Sequence, residues 1–216
     1  MTRYVFLDTE TTGISHADGH RIIEIAALAM ENRRLTGEKF HSYFNPRRAI
    51  DAGAQKVHGI SLDFLKDKPF FEDRVTELTA FLKDSTLVIH NAPFDVGFMN
   101  AEYQRVSPNF KLSDYCPIID TLQIARAKYT GQKNSLDALC KRFNISLADR
   151  TFHGALLDTR LLADVYFALT AGQESMAFGD SSAQNTTKKV AATVAKKPLA
   201  KIHAVKLTDA EKAIES

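Results

Sequence analysis

Two spacings of apolar residues predict the secondary structure of most of the chain. Runs rich in β-branched and aromatic residues, some of them alternating, predict strands at residues 3–7, 21–30, 39–44, 86–89 and 118–119. Helical spacing, as in Val75, Leu78 and Phe81, predicts helices over residues 73–82, 94–103, 121–128, 135–143 and 155–171. Residues 13–19 are polar and predict a loop. Strands that come first and then alternate with helices indicate an α/β fold with a mixed sheet.

The composition changes after Phe178, which is the last aromatic residue of the chain. Residues 179–201 contain five lysines and one aspartate, whereas residues 202–216 contain two lysines and three acids. Of the net charge of +2, residues 1–178 therefore carry −1. A segment without aromatic side chains buries too little surface to offset the entropy lost on folding. We therefore expect a folded domain over residues 1–172 and a flexible basic linker over residues 179–198.

The segment from residue 199 to 216 differs from the linker. It regains apolar side chains, namely Leu199, Ile202, Val205 and Leu207. Thr208 and Glu211 have the spacing of a helix capping box. A helix this short is marginal alone in water. The segment is therefore either a frayed terminus or a peptide that becomes ordered on a partner.

The overall composition excludes several protein classes. The 216 residues are 44% hydrophobic and 25% charged, as in ordinary globular proteins. Two cysteines exclude a disulfide scaffold, so we expect Cys116 and Cys140 to pack inside a protein of a reduced compartment. No apolar stretch approaches the length of a membrane span, and Asp8 interrupts the first apolar run too early for a signal peptide. We therefore expect a cytoplasmic protein without a membrane partner.

The first candidate site consists of two acids, Asp8 and Glu10, at the end of the first predicted strand. Side chains alternate along a strand, so both carboxylates point to the same face. Neighbouring carboxylates raise each other's pKa, and a cation between them relieves the repulsion. Hard oxygen ligands favour Mg²⁺ or Mn²⁺. The alternative is a solvated strand end at which the two acids begin a turn.

Two later groups combine an acid with a histidine. His90 and Asp95 follow a predicted strand, where α/β folds collect their ligands. His153 and Asp158 are five residues apart, which is about 140° out of register on a helix. Gly154 would allow His153 to lie on a loop before the helix, an arrangement that suits a mobile base beside a fixed metal ligand. Taken singly, Asp95 is also explained as a helix first-turn acid and His90 as a satisfied strand-end histidine. The alternative for the second group is a capping His153 with an exposed helix Asp158.

Together, the three groups resemble the motifs of the DEDDh 3′→5′ exonucleases. The matching segments are Asp8-x-Glu10-Thr11-Thr12-Gly13, His90-Asn91-Ala92-x-Phe94-Asp95 and His153-x-Ala155-x-x-Asp158. Within that family, the chain is most similar to the proofreading epsilon subunits of bacterial DNA polymerase III. That similarity covers residues 4–178 and includes Arg33-Arg34-Leu35-Thr36-Gly37, Val57-His58-Gly59-Ile60 and Asn134-Ser135-Leu136-Asp137-Ala138-Leu139-Cys140.

The resemblance implies a ribonuclease H-like exonuclease fold, with a mixed central sheet flanked by helices and a flexible C-terminal tail. It implies a proofreading enzyme that removes mispaired 3′-terminal nucleotides with two divalent cations, Mg²⁺ or Mn²⁺. The implied metal ligands are Asp8, Glu10, Asp95 and Asp158, and the implied general base is His153. The residues implied to contact the DNA 3′ end are Asp8, Glu10, Thr11, His58, His90 and Asp158.

One segment departs from the family pattern. The family commonly has Asp-Pro-Glu-Ala where this chain has Asp51-Ala52-Gly53-Ala54. The missing acid is expected to alter contacts to the terminal nucleotide. Because the four acids and His153 are all present, we expect activity to be retained.

Two segments after the domain resemble partner-binding parts of the epsilon subunits. Residues 173–178 resemble a sliding-clamp binding peptide, in which Met176 and Phe178 are apolar anchors and Gln173 supplies an amide. The alternative is that these residues end the last helix and pack on the domain. Residues 199–216 resemble a polymerase-binding tail, which implies the polymerase III alpha subunit as a partner. The family also suggests a small theta-like accessory subunit bound to the exonuclease domain.

Two other functions stay open from the sequence. A free-standing DEDDh exonuclease, similar to ribonuclease T or oligoribonuclease, would act on RNA ends, although the clamp-like peptide and the tail disfavour it. A tether that stabilises a polymerase–clamp assembly is disfavoured by the intact set of acids. The net charge of −1 on residues 1–178 is unusual for a DNA-binding enzyme. It predicts weak DNA affinity and poor processivity when the domain acts without its partners.

Overall fold

A five-stranded mixed sheet organises the part of the chain that the computed structural model describes, residues 2–147 and 152–171. Its strand order is β3-β2-β1-β4-β5. The β1–β2 and β2–β3 pairs are antiparallel, whereas the β1–β4 and β4–β5 pairs are parallel. The strands are β1 (Arg3–Thr11), β2 (Ile22–Glu31), β3 (Arg34–Tyr43), β4 (Ser85–Ile89) and β5 (Ile118–Asp120). This sheet confirms the predicted α/β fold.

Eight α-helices flank the sheet within the described residues. They are α1 (Ala52–His58), α2 (Leu62–Leu65), α3 (Phe71–Leu82), α4 (Ala92–Val106), α5 (Leu112–Tyr115), α6 (Thr121–Lys128), α7 (Leu136–Arg142) and α8 (Ala155–Thr170). The five predicted helices are present as α3, α4, α6, α7 and α8, with small shifts of their ends. The short helices α1, α2 and α5 were not predicted. Each of them buries a single residue, so their sequences carry no helical repeat of apolar positions.

The outer strand β3 begins earlier than the apolar pattern predicts. The predicted strand covered residues 39–44, whereas the observed strand runs over Arg34–Tyr43. Its first six residues are exposed because β3 lies at the edge of the sheet. By contrast, β2 is buried from Ile22 to Met30, because it lies inside the sheet and both of its faces are covered. The predicted loop at residues 13–19 contains a short 3-10 turn over His16–Asp18.

Strand β1 divides the apolar core into two layers. Val5 and Leu7 belong to the layer under α3 and α4, whereas Phe6 faces α8. The rings of Phe6 and Tyr166 meet edge to face with their centroids 5.6 Å apart. Since side chains alternate, the residues that follow Phe6 at even positions lie on the face that α8 covers. The packing of β1 therefore determines which side its terminal acids occupy.

The described residues bear on the predictions for the cysteines and for membrane spans but not on those for the C-terminal segments. Cys116 and Cys140 are both buried, which confirms their assignment to packing. None of the helices in residues 2–147 and 152–171 combines the length and apolar character needed to cross a membrane. Three predicted segments lie outside the described residues. They are the clamp-like residues Gln173, Met176 and Phe178, the linker at 179–198 and the terminal segment at 199–216.

Candidate active site

The carboxyl ends of the parallel strands bring two of the predicted groups to one edge of the sheet. Phe6 pairs with Val88 in the parallel β1–β4 ladder. Asp8 lies two residues after Phe6 and His90 lies two residues after Val88, so both reach the same edge of the sheet. Asp8 remains within β1, which continues through Glu10 to its last residue. Loops and helix starts at such an edge are where α/β folds bind their ligands.

Helix α4 begins directly after β4 and carries Asp95 in its first turn. The turn between them is tight, because Asn91 adopts a left-handed conformation with φ of 66° and donates its backbone N–H to Asp120 over 3.0 Å. Asp95 is only 4% exposed. The hydroxyl of Thr9 donates to its Oδ1 atom over 2.8 Å, which fixes the carboxylate against β1. The second predicted acid is thereby held beside the first.

His153 lies two residues before α8, as the sequence predicted, and Asp158 lies in the first turn of that helix. Their side chains meet, with His153 Nδ1 3.1 Å from Asp158 Oδ2. The backbone N–H of His153 donates to the carbonyl of Val57 at the end of α1, over 3.0 Å. Sequence spacing did not indicate this side-chain contact, because it depends on the way the chain approaches α8. Asp158 is buried, whereas the His153 side chain is 42% exposed.

The acids form a cluster that disfavours their own ionisation. Burial raises the pKa of Asp8 well above its ordinary value, and the neighbouring charges of Asp95, Glu10 and Asp158 raise it further. Burial also raises the pKa of Asp95 to about 7, although the hydrogen bond from Thr9 opposes the shift. The acids of such a cluster remain ionised when a positive charge lies close to them.

The geometry of the cluster fits a hard divalent cation. Glu10, His153 and Asp158 each offer a ligand atom, and the three atoms lie within 4.8 Å of one another. Carboxylate oxygens are the preferred protein ligands of Mg²⁺ and Mn²⁺. These donors are two acids, from β1 and α8, and one histidine, and a cation between the acids would offset their repulsion.

The two remaining predicted histidines lie near the same edge, where His58 is buried and His90 is half-buried. His58 ends α1 and accepts a hydrogen bond at Nδ1 from the backbone N–H of Ile60. His90 places Nδ1 2.9 Å from the hydroxyl of Thr121. Burial lowers the pKa of both imidazoles. Neither Nε2 atom makes a hydrogen bond to the described residues, so each histidine retains one buried polar atom for a further partner.

Thr11 contributes mainly to the loop that follows β1. Its side chain is buried, and its hydroxyl donates to the carbonyl of Gly13 over 2.6 Å. The Thr11 side chain thus already has a partner within its own turn.

Sequence reasoning missed one buried acid at the site, Glu24. It lies on β2 directly opposite Glu10 and is 2% exposed. A signal was present, because Glu24 is the single charged residue in the apolar run from Ile22 to Met30. A charge is rarely kept inside such a strand without a specific partner.

Comparisons with known proteins identify the family. A family model described as Exonuclease matches residues 5–166. The DNA polymerase III subunit epsilon of Pasteurella multocida (strain Pm70) is 50% identical over 179 residues, which are 81% of this chain and 71% of that protein. The subunit of the same name from Escherichia coli (strain K12) is 49% identical over 183 residues, which are 82% of this chain and 75% of that protein.

Solved structures show the same fold. Exonuclease X in complex with 5′ overhanging duplex DNA matches with a TM-score of 0.59 and 26% identity, over 79% of this chain and 93% of that one. E. coli exonuclease I in complex with a dT13 oligonucleotide matches with a TM-score of 0.67 and 18% identity, over 82% of this chain and 42% of that one. At 18% identity, the match to exonuclease I shows similarity of the fold alone.

Proposed function

The chain belongs to the exonuclease family, among the DNA polymerase III epsilon subunits, and we propose that it proofreads DNA synthesis by removing mispaired 3′-terminal nucleotides. The observation that carries the proposal is the convergence of Asp8, Glu10, Asp95 and Asp158 beside His153. Family and site together make it a 3′→5′ exonuclease, a hydrolase of phosphodiester bonds. A replicative role places it in the cytoplasm, where bacterial DNA is copied.

We propose that the four acids hold two divalent cations, Mg²⁺ or Mn²⁺. The raised pKa values of Asp8 and Asp95 support this assignment, because a nearby positive charge would offset the mutual repulsion of the carboxylates. When bound, such cations neutralise charge on the phosphate and lower the pKa of an attacking water. The carboxylates that would hold the ions come from three elements, β1, α4 and α8.

His153 is proposed to remove the proton from the attacking water. Its Nδ1 faces Asp158 Oδ2, and a neutral imidazole that donates from Nδ1 accepts a proton at Nε2. Histidine is the side chain that changes charge near neutral pH, which suits a general base. The ring is 42% exposed, so water and substrate can reach it. Asp158 would orient the ring in addition to its role as a ligand.

His58 and His90 are proposed to contact the terminal nucleotide together with Thr11. The support is the Nε2 atom of each histidine, which is buried without a hydrogen bond to the described residues. A buried polar atom of this kind is costly, and a substrate oxygen or base edge would satisfy it. Asp8, Glu10 and Asp158 would contact the scissile phosphate of the same nucleotide through the cations, because carboxylates repel a phosphate directly.

The test is nucleotide release by the full chain from a primer–template with a mispaired 3′ end. We expect Mg²⁺-dependent release of nucleoside 5′-monophosphates, faster from the mispaired end than from a paired DNA end or an RNA end. Asp8→Ala should abolish release, whereas Asp67→Ala, which alters an exposed acid, should not. Preference for RNA ends, or release that does not need a divalent cation, would contradict the proposal.

Partner binding is proposed for the segments beyond the domain. Gln173, Met176 and Phe178 would bind the beta sliding clamp, and residues 199–216 the polymerase III alpha subunit. A small theta-like subunit would bind the exonuclease domain. In a pull-down, Phe178→Ala should weaken clamp binding alone, and deletion of residues 199–216 should abolish alpha binding. A mutation rate that rises with Phe178→Ala but not with Asp8→Ala would favour a tethering role instead.

A further inference from the structure

We propose that Glu24 is a positioning residue that fixes the start of α8 and thereby orients His153 for hydrolysis. The inference rests on the proposed exonuclease function and adds a residue that lies outside the three motifs. Its support is a set of contacts that join β2 to the helix carrying the last predicted ligand.

Glu24 occupies an unusual place for an acid. It is 2% exposed, lies within the buried strand β2 and is paired across the ladder with Glu10. Desolvating a carboxylate is costly unless hydrogen bonds and opposite charge compensate it. A second acid beside Glu10 adds repulsion to that cost. The position therefore needs a compensating set of partners, and the structure supplies one.

Both carboxylate oxygens of Glu24 have donors. Oε1 lies 2.7 Å from Nε2 of His41 on the neighbouring strand β3, and Oε2 accepts the backbone N–H of Ala155 over 3.2 Å. Ala155 is the first residue of α8, where helix N–H groups lack partners within the helix. A carboxylate at a helix N-terminus is also stabilised by the helix dipole. Both oxygens are engaged in these contacts, and they tie Glu24 to β3 and to the start of α8.

The contact at Ala155 fixes the residues on either side of it. His153 lies two positions before Ala155, and Asp158 lies three positions after it. One turn further along α8, the hydroxyl of Thr159 donates to the Ala155 carbonyl over 2.6 Å and also lies 3.3 Å from the carbonyl of Ala26 on β2, a second contact between the two elements. Strand β2 also carries the pairing partners of Asp8 and Glu10. It is therefore the common support of the β1 acids and of His153.

Removing the charge of Glu24 should impair the chemical step more than substrate binding. Gln has nearly the same shape, but its neutral oxygen is a weaker acceptor for the Ala155 N–H, and its NH₂ group faces the donor of His41. We expect Glu24→Gln to lower kcat by about 10–100-fold, because small displacements of a catalytic group have effects of this size. KM for the primer–template should stay within about twofold, since the histidines at the nucleotide are untouched.

The experiment measures kcat and KM of the full chain in four forms: wild type, Glu24→Gln, His153→Ala and the double variant. If Glu24 acts through His153, adding Glu24→Gln to the His153→Ala enzyme should lower kcat by less than about threefold. Glu31→Gln is the matched control, because it makes the same change at the exposed end of the same strand. If Glu24 had only a structural role, the fold losses of kcat in the two single variants would multiply in the double variant.

Two results would overturn the inference while the proposed function stands. One is a Glu24→Gln enzyme with kcat close to wild type, and the other is an equal loss of kcat with and without His153. If Glu24→Gln does not fold, His41→Ala removes one of the two anchors at a residue that is 24% exposed. Hydrogen exchange at the Ala155 amide should then be faster than in wild type, and unchanged exchange would also refute the inference. Absence of nuclease activity in the wild-type chain would instead refute the proposed function.

Discussion

The imidazole of His153 contacts the carboxylate of Asp158, with Nδ1 3.1 Å from Oδ2. The backbone N–H of the same histidine is bound to the carbonyl of Val57, so its position depends on α1 as well as on α8. A loop residue is thus oriented by two helices that are far apart in sequence. This arrangement leaves the ring accessible while limiting its direction, which is the requirement for a general base.

The first prediction concerns that base. His153→Ala should lower kcat for nucleotide release by about 10²–10⁴-fold, the usual contribution of a positioned general base. Mn²⁺ affinity, measured by titration calorimetry, should change much less, because the proposed ligands are carboxylates. A large loss of Mn²⁺ affinity with a small loss of kcat would assign His153 to the metal instead.

The second prediction concerns the repulsion among the acids. Without metal, Asp8→Asn should raise the melting temperature by about 2–4 °C, the shift that corresponds to about 1 kcal/mol in a domain of this size. Wild type should gain about 2.7 kcal/mol when Mg²⁺ is added at a hundred times its dissociation constant. The variant should lose most of that gain.

Thermal melts with EDTA and with Mg²⁺ test this pair of effects. Asp67→Asn removes an exposed acid and should behave as wild type in both conditions. A wild-type melting temperature that does not respond to Mg²⁺ would contradict the assignment of the acids as ligands.

The third prediction concerns the buried ion pair between Arg21 and Glu102. Their two hydrogen bonds measure 2.6 and 2.7 Å, and Glu102 is 2% exposed. Glu102→Ala should lower the free energy of unfolding by about 3–5 kcal/mol, because it leaves a largely buried guanidinium without its partner. Urea denaturation measures the loss. The exposed pair of Arg47 and Glu72 is the control, since Glu72→Ala should cost less than about 1 kcal/mol.

The fourth prediction compares two glycines at opposite ends of α1. Gly59 has φ of +70°, and a Cβ there would lie 3.0 Å from the Phe152 ring, directly before His153. Gly59→Ala should therefore cost about 1–2 kcal/mol of stability and also lower kcat. A Cβ on Gly53 would meet no atom within 4 Å, so Gly53→Ala should stabilise the protein by about 0.4–1 kcal/mol. Urea denaturation and the primer assay distinguish the two variants, and equal effects would refute the argument.

The sequence predicted the sheet and the long helices because their apolar residues repeat regularly. It also predicted that His153 precedes its helix, since Gly154 interrupts the pattern there. It failed at α1, whose one buried residue is His58, because a single contact leaves no periodic trace. It failed as well at Glu24, whose importance depends on a backbone N–H 131 positions further along the chain. Local patterns reveal which residues face the core, whereas partners brought together by tertiary structure remain hidden.

The late position of α8 in the chain determines when the proposed site is completed during protein synthesis. Two of the five proposed catalytic residues, His153 and Asp158, come from this last described helix and the residues just before it. The first acids are made about 150 residues earlier, near the end of β1. A ribosome-bound chain therefore holds an incomplete site through most of its synthesis. With the site as proposed, nuclease chemistry would become available only when α8 has emerged and packed against Phe6, so this folding step would also activate the enzyme.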